Sequence, residues 1–536
     1  MITRPVRAGI RSGAVVLAVV ALGIVGVATE VVRSAPALAA VAVAGVEDDG
    51  AGCAVTLPGS LTSNSRLPDP FRKLDGTRIS TKADWRCRRA EIKRMAERYV
   101  YGEKPVKPTS VTGTVSNSSI TVNVSQNGRS ASFSASVQLP SGTGPFPAVI
   151  VLGGFGADTA TIRSAGAAVI SYDPLAVGRE GTPRNNKQGA FYTLYGNTSA
   201  TGLLAAWAWG ASRIIDVIEQ SGGTVLKADS VGVTGCSRYG KGAFAVGAFD
   251  QRIALTMPIE SGSAGVPILR GIPGESGSQP LSSAYGEQPW LGDAFSQFTS
   301  NPNTLPVDQH ETVAMIAPRG LFIMENPHID WLGARSGSVA ALGGAEVYKA
   351  LGAGDNISYW SDIQDGTHCA TRTEWRTPLQ QNIQKFLVRT GSAAGTFRIS
   401  SRKPGNLAEW RDWTTPTLSG ENPTDPPPTD PPPTDPPPAT TGCVATAAIN
   451  QWNGGFVTTM RVTAGSTRVD GWTVAVTLPS GAVVTSAWNA NRSGDTGAVQ
   501  FTNVDFNGAV APGQSIEFGY QGTGTGTGVT PTCTTG

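Results

Sequence analysis

The chain has 536 residues, a net charge of +2 and only 15% charged side chains, alongside 66 glycines and 37 prolines. It is too long for one ordinary domain, and with neither a basic stripe nor an acidic tail it offers nothing to attract nucleic acid or an anionic lipid surface. The composition suits a loop-rich exported chain of more than one module, expected to work as a monomer without a cofactor.

Arg4, Arg7 and Arg11 precede an apolar run from Ala14 to Ala28, and Ala37-Leu38-Ala39 places small residues at a cleavage site. This is the layout of a secretory signal, residues 1–39, and it implies an extracellular location. The run is short for a membrane span and Arg33 interrupts its flank, so a removed leader is expected over an uncleaved anchor, with no membrane partner. From residue 50 to 400 apolar strands alternate with amphipathic helices. Ser110 to Leu139 alternates as antiparallel strands do, Pro147 to Leu152 and Ala167 to Tyr172 read as buried strands, and Gly202 to Gln220 reads as a helix. Val231 to Thr234, Ile253 to Ile259, Leu321 to Met324 and Ile357 to Ser361 continue the strands, and Trp375 to Val388 reads as a closing helix. The order predicts an α/β fold with a mainly parallel sheet covered by helices.

Three copies of Thr-Asp-Pro-Pro-Pro, Thr424 to Pro438, then form a tether within residues 419–441. Polyproline II geometry makes it semi-rigid, on the order of 50 Å long. Residues 442–536 change character to short Val/Thr-rich runs between Gly/Ser/Asn turns, which predicts an all-β sandwich.

Ser237 lies in Val231-Gly-Val-Thr-Gly-Cys-Ser-Arg-Tyr-Gly-Lys-Gly, a strand turning sharply into a helix. Such an elbow lifts a hydroxyl to the head of a helix, where the dipole favours developing negative charge. The motif departs from Gly-x-Ser-x-Gly, because Tyr239 stands where glycine is wanted and Gly240 follows one place later. A serine of ordinary pKa needs a base, and the chain has three histidines, His310, His328 and His368. His368, in Asp365-Gly-Thr-His-Cys ahead of the last helix, is the expected base; His328 is the runner-up, and His310 reads as structural. The orienting carboxylate is expected to be Glu260 at the end of its strand, with Glu325 as the substitute.

Six cysteines, Cys53, Cys87, Cys236, Cys369, Cys443 and Cys533, allow 15 pairings. Cys236 precedes Ser237 and Cys369 follows His368, so a hydrogen bond between serine and histidine would bring the two thiols within disulfide reach. By elimination Cys53 pairs with Cys87 and Cys443 with Cys533. No Cys-x-x-Cys or His-x-x-x-His spacing suggests a metal site.

Taken together, Gly235-Cys-Ser-Arg-Tyr-Gly-Lys-Gly, Pro258-Ile-Glu-Ser-Gly, Gly286-Glu-Gln-Pro-Trp, Ala317-Pro-Arg-Gly-Leu-Phe, Ile329-Asp-Trp-Leu-Gly and His368-Cys resemble the glucuronoyl esterases, carbohydrate esterase family fifteen. The resemblance implies an α/β-hydrolase three-layer sandwich that cleaves esters of 4-O-methyl-glucuronic acid on xylan with lignin alcohols. It also implies that Gln279 and Glu287 bind uronate hydroxyls and that Trp331 meets the sugar ring. Lys241, one helical turn from Ser237, can donate to the same hydroxyls, and Arg238 can face the oxyanion. Asn450-Gln-Trp-Asn-Gly-Gly-Phe, Gly471-Trp-Thr-Val, Ala487-Trp-Asn and Phe506-Asn-Gly resemble family-two carbohydrate-binding modules, which hold cellulose or xylan. Trp452, Trp488 and Phe506 are the candidates for stacking on sugar faces, and Trp472 is expected in the core. Phe506 stands where such modules often carry a third tryptophan, which leaves xylan open beside cellulose. The competing readings are an acetylxylan or feruloyl esterase and a non-catalytic cell-wall adhesion protein.

Overall fold

The structure, a computed structural model, describes residues 46–392, 394–420, 442–452, 454–505, 507–512 and 514–535, with Val46, Ala448, Asn450 and Trp452 described by backbone alone. The expected leader, residues 1–39, and the Thr-Asp-Pro-Pro-Pro run lie outside the described residues. Two compact units divide the chain between residues 424 and 425.

The first unit is built on a ten-stranded sheet: β1 (Ser110–Val115), β2 (Ser119–Gln126), β3 (Arg129–Gln138), β4 (Phe146–Leu152), β5 (Ala168–Tyr172), β6 (Leu226–Cys236), β7 (Ile253–Ile259), β8 (Gly320–Met324), β9 (Ile357–Trp360) and β10 (Phe397–Arg398). Its order is β1-β2-β3-β5-β4-β6-β7-β8-β9-β10. The β1-β2-β3 meander and its junction with β5 are antiparallel, and the remaining pairs are parallel.

Patterning explains both halves. In β2 Ile120, Val122 and Val124 are buried while their neighbours are not, because that part of the sheet has one covered face. In β4 Pro147 through Leu152 are all buried, because helices cover both faces there. Ala148, Ile150 and Leu152 enter one core with Trp207 and Ile214, and Val149 and Val151 enter the other with Trp375, Leu379 and Ile383. The result is the expected three-layer α/β sandwich. The helix Leu203–Gln220 is buried from Leu203 to Ile218 and presses so close to the sheet that a Cβ on Gly210 would lie 2.1 Å from the Tyr172 hydroxyl.

The packed unit runs past residue 400: Trp413 is buried edge-on against Phe71, donates from its indole to Leu67 O (3.1 Å), and is followed by a bridge from Ser419 to Thr81. At the other end, Glu47 inserts among Lys104, Arg213 and Arg252. Burial favours its neutral form, but the three cations outweigh that and hold the carboxyl well below the usual carboxylate range. Among the described residues no helix is long and apolar enough to cross a membrane.

The second unit consists of two four-stranded antiparallel sheets. One has the order β11 (Cys443–Trp452), β12 (Gly455–Ala464), β17 (Ser515–Thr523), β14 (Val483–Trp488), and the other β15 (Asn491–Ser493), β16 (Ala498–Thr502), β13 (Trp472–Thr477), β18 (Thr532–Thr535). Trp472 is buried and stacks on Phe518 at 5.0 Å between ring centres. Cys443 and Cys533 are bonded, closing the module end to end.

Candidate active site

Ser237 joins β6 to the helix Arg238–Phe249 with φ 58° and ψ −124°, a left-handed conformation that costs a non-glycine residue on the order of 1–3 kcal/mol. The turn is held by Ser237 N donating to Ile259 O (2.9 Å) and Lys241 N donating to Ser237 O (3.0 Å). Its displaced glycine has a steric reason. A Cβ on Gly240 would lie 2.4 Å from Ile259 O and one on Gly235 2.6 Å from Tyr239 O, so the close approaches fall at 235 and 240 rather than at 239.

Glu260 and Cys369 are also left-handed, at φ 44° and 58°. Strain thus gathers on three residues from three separate elements that meet at one place. Glu260 N donates to Met324 O (2.8 Å), which turns the chain out of β7 and leaves the carboxylate fully buried. His368 Nδ1 lies 2.6 Å from Glu260 Oε2, and Cys369 N donates to the same oxygen at 2.9 Å. Asn326 Nδ2 donates to Oε1 at 3.3 Å, and the Arg372 guanidinium stands 3.5 Å from it. This fixes the imidazole with Nε2 directed away from the carboxylate.

Cys236 and Cys369 form a disulfide with Cα atoms 5.8 Å apart, and Cys53 pairs with Cys87, so all three expected bonds are present. The Cys236–Cys369 bond closes a separation of 133 residues, worth about 4–5 kcal/mol by loop entropy, and ties the residue before Ser237 to the residue after His368. The Ser237 hydroxyl makes no side-chain hydrogen bond among the described residues, His368 included; in many hydrolases that contact tightens only around substrate.

Lys241 is buried, donates to Ser261 O and stands 5.3 Å above the Trp290 ring. Burial pulls its ammonium down to about 8, against the opposing pull of Glu287 and Glu325. Gln279 Nε2 donates to Glu287 Oε2 (2.8 Å), and Gln279 N donates to Trp331 O (3.1 Å). Trp331 is 52% exposed and stands edge-on to the His368 ring at 5.9 Å, so Gln279, Glu287 and Trp331 do adjoin the Glu260–His368 pair. The Arg238 guanidinium is held by Glu180 at 3.1 Å.

The substitutes behave differently. Glu325 is fully buried and touches neither ring nitrogen of His368; burial pushes its carboxyl up to about 8. His328 is bonded to Ile363 O (3.0 Å), and His310 to Pro68 O (2.8 Å), burial pushing His310 down to about 4. Sequence reasoning missed Glu180, Trp290, Asn326 and Arg372. Trp290 ends the quoted motif Gly286-Glu-Gln-Pro-Trp, Asn326 directly follows Glu325 and Arg372 stands four residues after His368, whereas Glu180 in Gly-Arg-Glu-Gly carried no signal.

On the second unit Trp488 is 41% exposed and pairs across strands with Gly519, where a Cβ would lie 2.1 Å from the indole. The glycine therefore lets the ring lie against the strand. Phe506 and the side chain of Trp452 lie outside the described residues.

The sequence profile of fungal glucuronyl esterases matches residues 122–352, and that of the cellulose-binding domain matches residues 443–536. The 4-O-methyl-glucuronoyl methylesterase of Hypocrea jecorina is 38% identical over 377 residues, covering 69% of this chain and 80% of that one. The solved catalytic domain of the Hypocrea jecorina glucuronoyl esterase has a TM-score of 0.64 at 37% identity, covering 68% of this chain and all of that one, 100%. A serine-to-alanine variant of the Sporotrichum thermophile glucuronoyl esterase, solved with methyl 4-O-methyl-β-D-glucopyranuronate, gives the same TM-score of 0.64 at 37% identity, over 68% of this chain and 100% of that one.

Proposed function

The chain belongs to the glucuronoyl esterase family and is a carboxylic ester hydrolase; from that premise we propose that it hydrolyses 4-O-methyl-glucuronoyl esters linking glucuronoxylan to lignin alcohols, by a Ser237-His368-Glu260 triad. In this reading Ser237 attacks the ester carbonyl while His368 Nε2 accepts its proton. The acyl-enzyme forms as the alcohol leaves with that proton, and water, deprotonated by His368, releases the uronate. Glu260 holds Nδ1 protonated and stabilises the imidazolium. Arg238 faces the developing oxyanion, and Lys241, Gln279, Glu287 and Trp331 bind the uronate ring. The enzyme is exported, its leader is residues 1–39, and residues 442–536 place it on cellulose or xylan through Trp488 with Trp452 and Phe506.

The observation that carries the reading is the 2.6 Å contact between His368 and Glu260 beside a strained, disulfide-stapled Ser237, with a polar cluster suited to sugar hydroxyls adjoining it. Benzyl glucuronate assayed against acetyl and feruloyl esters tests it. Turnover of the uronate is expected, and its absence would sink the substrate assignment. Ser237→Ala should abolish turnover while polysaccharide binding is unchanged; undiminished turnover removes the proposed nucleophile.

A further inference from the structure

Between β5 and the helix Leu203–Gln220, a loop brings one half-buried carboxylate, Glu180, to a place where three parts of the site converge. Glu180 Oε2 accepts from Arg238 Nη1 at 3.1 Å and Oε1 accepts from the Trp290 indole at 2.6 Å. The Trp290 ring, only 2% exposed, has the Arg238 guanidinium 6.0 Å from its centre and the Lys241 ammonium 5.3 Å from it. Two cations from the helix behind Ser237 therefore lie over one indole, and that indole is oriented by Glu180.

The surrounding loop is built as a clamp on the segment that carries Glu287 and Trp290. Gly181 N donates to Gln288 Oε1 (2.7 Å), and Arg184 donates to Leu291 O (2.7 Å) while lying 3.5 Å above the Tyr285 ring. The Glu180 side chain is 11% exposed, whereas the Arg238 side chain it holds is 41% exposed at the site. A guanidinium so exposed samples many rotamers when untethered. A fixed partner on one nitrogen removes that freedom and leaves the remaining N–H groups free to donate.

We propose that Glu180 is a positioning residue: by binding Arg238 and the Trp290 indole together, it sets the guanidinium toward the oxyanion and couples it to the uronate-binding segment. This rests on the esterase reading above. Because it acts through Arg238, its contribution falls on the transition state more than on substrate binding.

The test is steady-state kinetics on benzyl glucuronate with the full chain. Glu180→Gln keeps an acceptor for the Trp290 indole but removes the negative charge that faces Arg238, and should lower kcat about tenfold with KM within about twofold. Glu180→Asp, which keeps the charge on a shorter arm, should retain more kcat than Glu180→Gln. In an Arg238→Ala background, adding Glu180→Gln should change kcat by less than about twofold, since the partner it acts through is gone. An unchanged kcat in Glu180→Gln overturns the proposal. So does a loss of the same size in the Arg238→Ala background, or a Glu180→Asp variant worse than Glu180→Gln. Absence of turnover by the wild-type protein sinks the esterase reading and this inference with it, an outcome distinct from all of these.

Discussion

Glu260 and Glu325 end neighbouring parallel strands directly after the paired residues Ile259 and Met324, and both are fully buried. Glu260 meets His368 Nδ1, Cys369 N and Asn326 Nδ2, with the Arg372 guanidinium 3.5 Å away. Glu325 accepts one backbone N–H, from Asn326 at 3.0 Å, and its other oxygen has no hydrogen-bond partner among the described residues. Burial therefore pushes Glu325 up to about 8. Two carboxyls of the same depth differ in the donors aimed at them, and the donors on Glu260 come chiefly from the loop after β9.

The strongest way to break the comparison is Glu260→Gln. An amide at 260 keeps the shape but can turn an NH2 toward His368, which disturbs the tautomer needed to take the Ser237 proton. A fall in kcat on the order of 10³- to 10⁴-fold is expected in assays on benzyl glucuronate, with KM little changed. A loss below about tenfold would erase the functional difference between the two strand ends.

Lys241 sharpens the comparison from the side of the substrate. Burial lowers its ammonium from 10.5 to about 8, so the charged donor is present below pH 8 and is lost as pH rises through it. KM for a glucuronate ester should then rise several-fold above about pH 8, with kcat less affected. The Glu325 carboxyl is among the groups that favour the Lys241 ammonium. Glu325 carries its negative charge only as it ionises near pH 8, so in Glu325→Gln the rise in KM should be complete at lower pH while its onset below pH 8 is little changed, and a limb fixed in place would show that the two do not interact.

The mainly parallel sheet with its antiparallel start, the buried strands and the Cys236–Cys369 bond were legible in the sequence because local patterns carry them, whereas the strand order was not. Alternation marked β2, an unbroken apolar run marked β4, and the cysteines beside Ser237 and His368 marked a disulfide between residues far apart in the chain. Glu260 outranked Glu325 on its place at a strand end opening a small-residue turn, and the physical reason, the convergence of donors from the loops after β8 and β9, is a tertiary fact with no local pattern. Glu180 was invisible for the same cause. The edge of the first unit also escaped patterning: Trp413 completes a core around Phe71 and Leu67, which lie more than 300 residues earlier.

Glu325→Gln should produce the smallest kinetic effect and tests the other half of the comparison. A neutral amide closely mimics the protonated acid, so kcat below pH 8 should stay within about threefold of wild type; a loss comparable to that of Glu260→Gln would make Glu325 a partner of His368 after all. Stability gives the independent readout. With its folded pKa raised from 4.5 to about 8, Glu325 binds a proton in the folded chain that the unfolded chain has already released across that window. Its contribution is therefore fully present below about pH 4.5 and is lost as pH climbs to about 8. Glutamine has no such proton, so the melting temperature of Glu325→Gln relative to wild type should rise steadily between pH 5 and 8. Glu311, raised to about 7 by burial, titrates in both proteins and cancels in that difference. A difference that is flat with pH would mean that donors unseen at Glu325 Oε2 keep it ionised, and the contrast between the two strand ends would collapse.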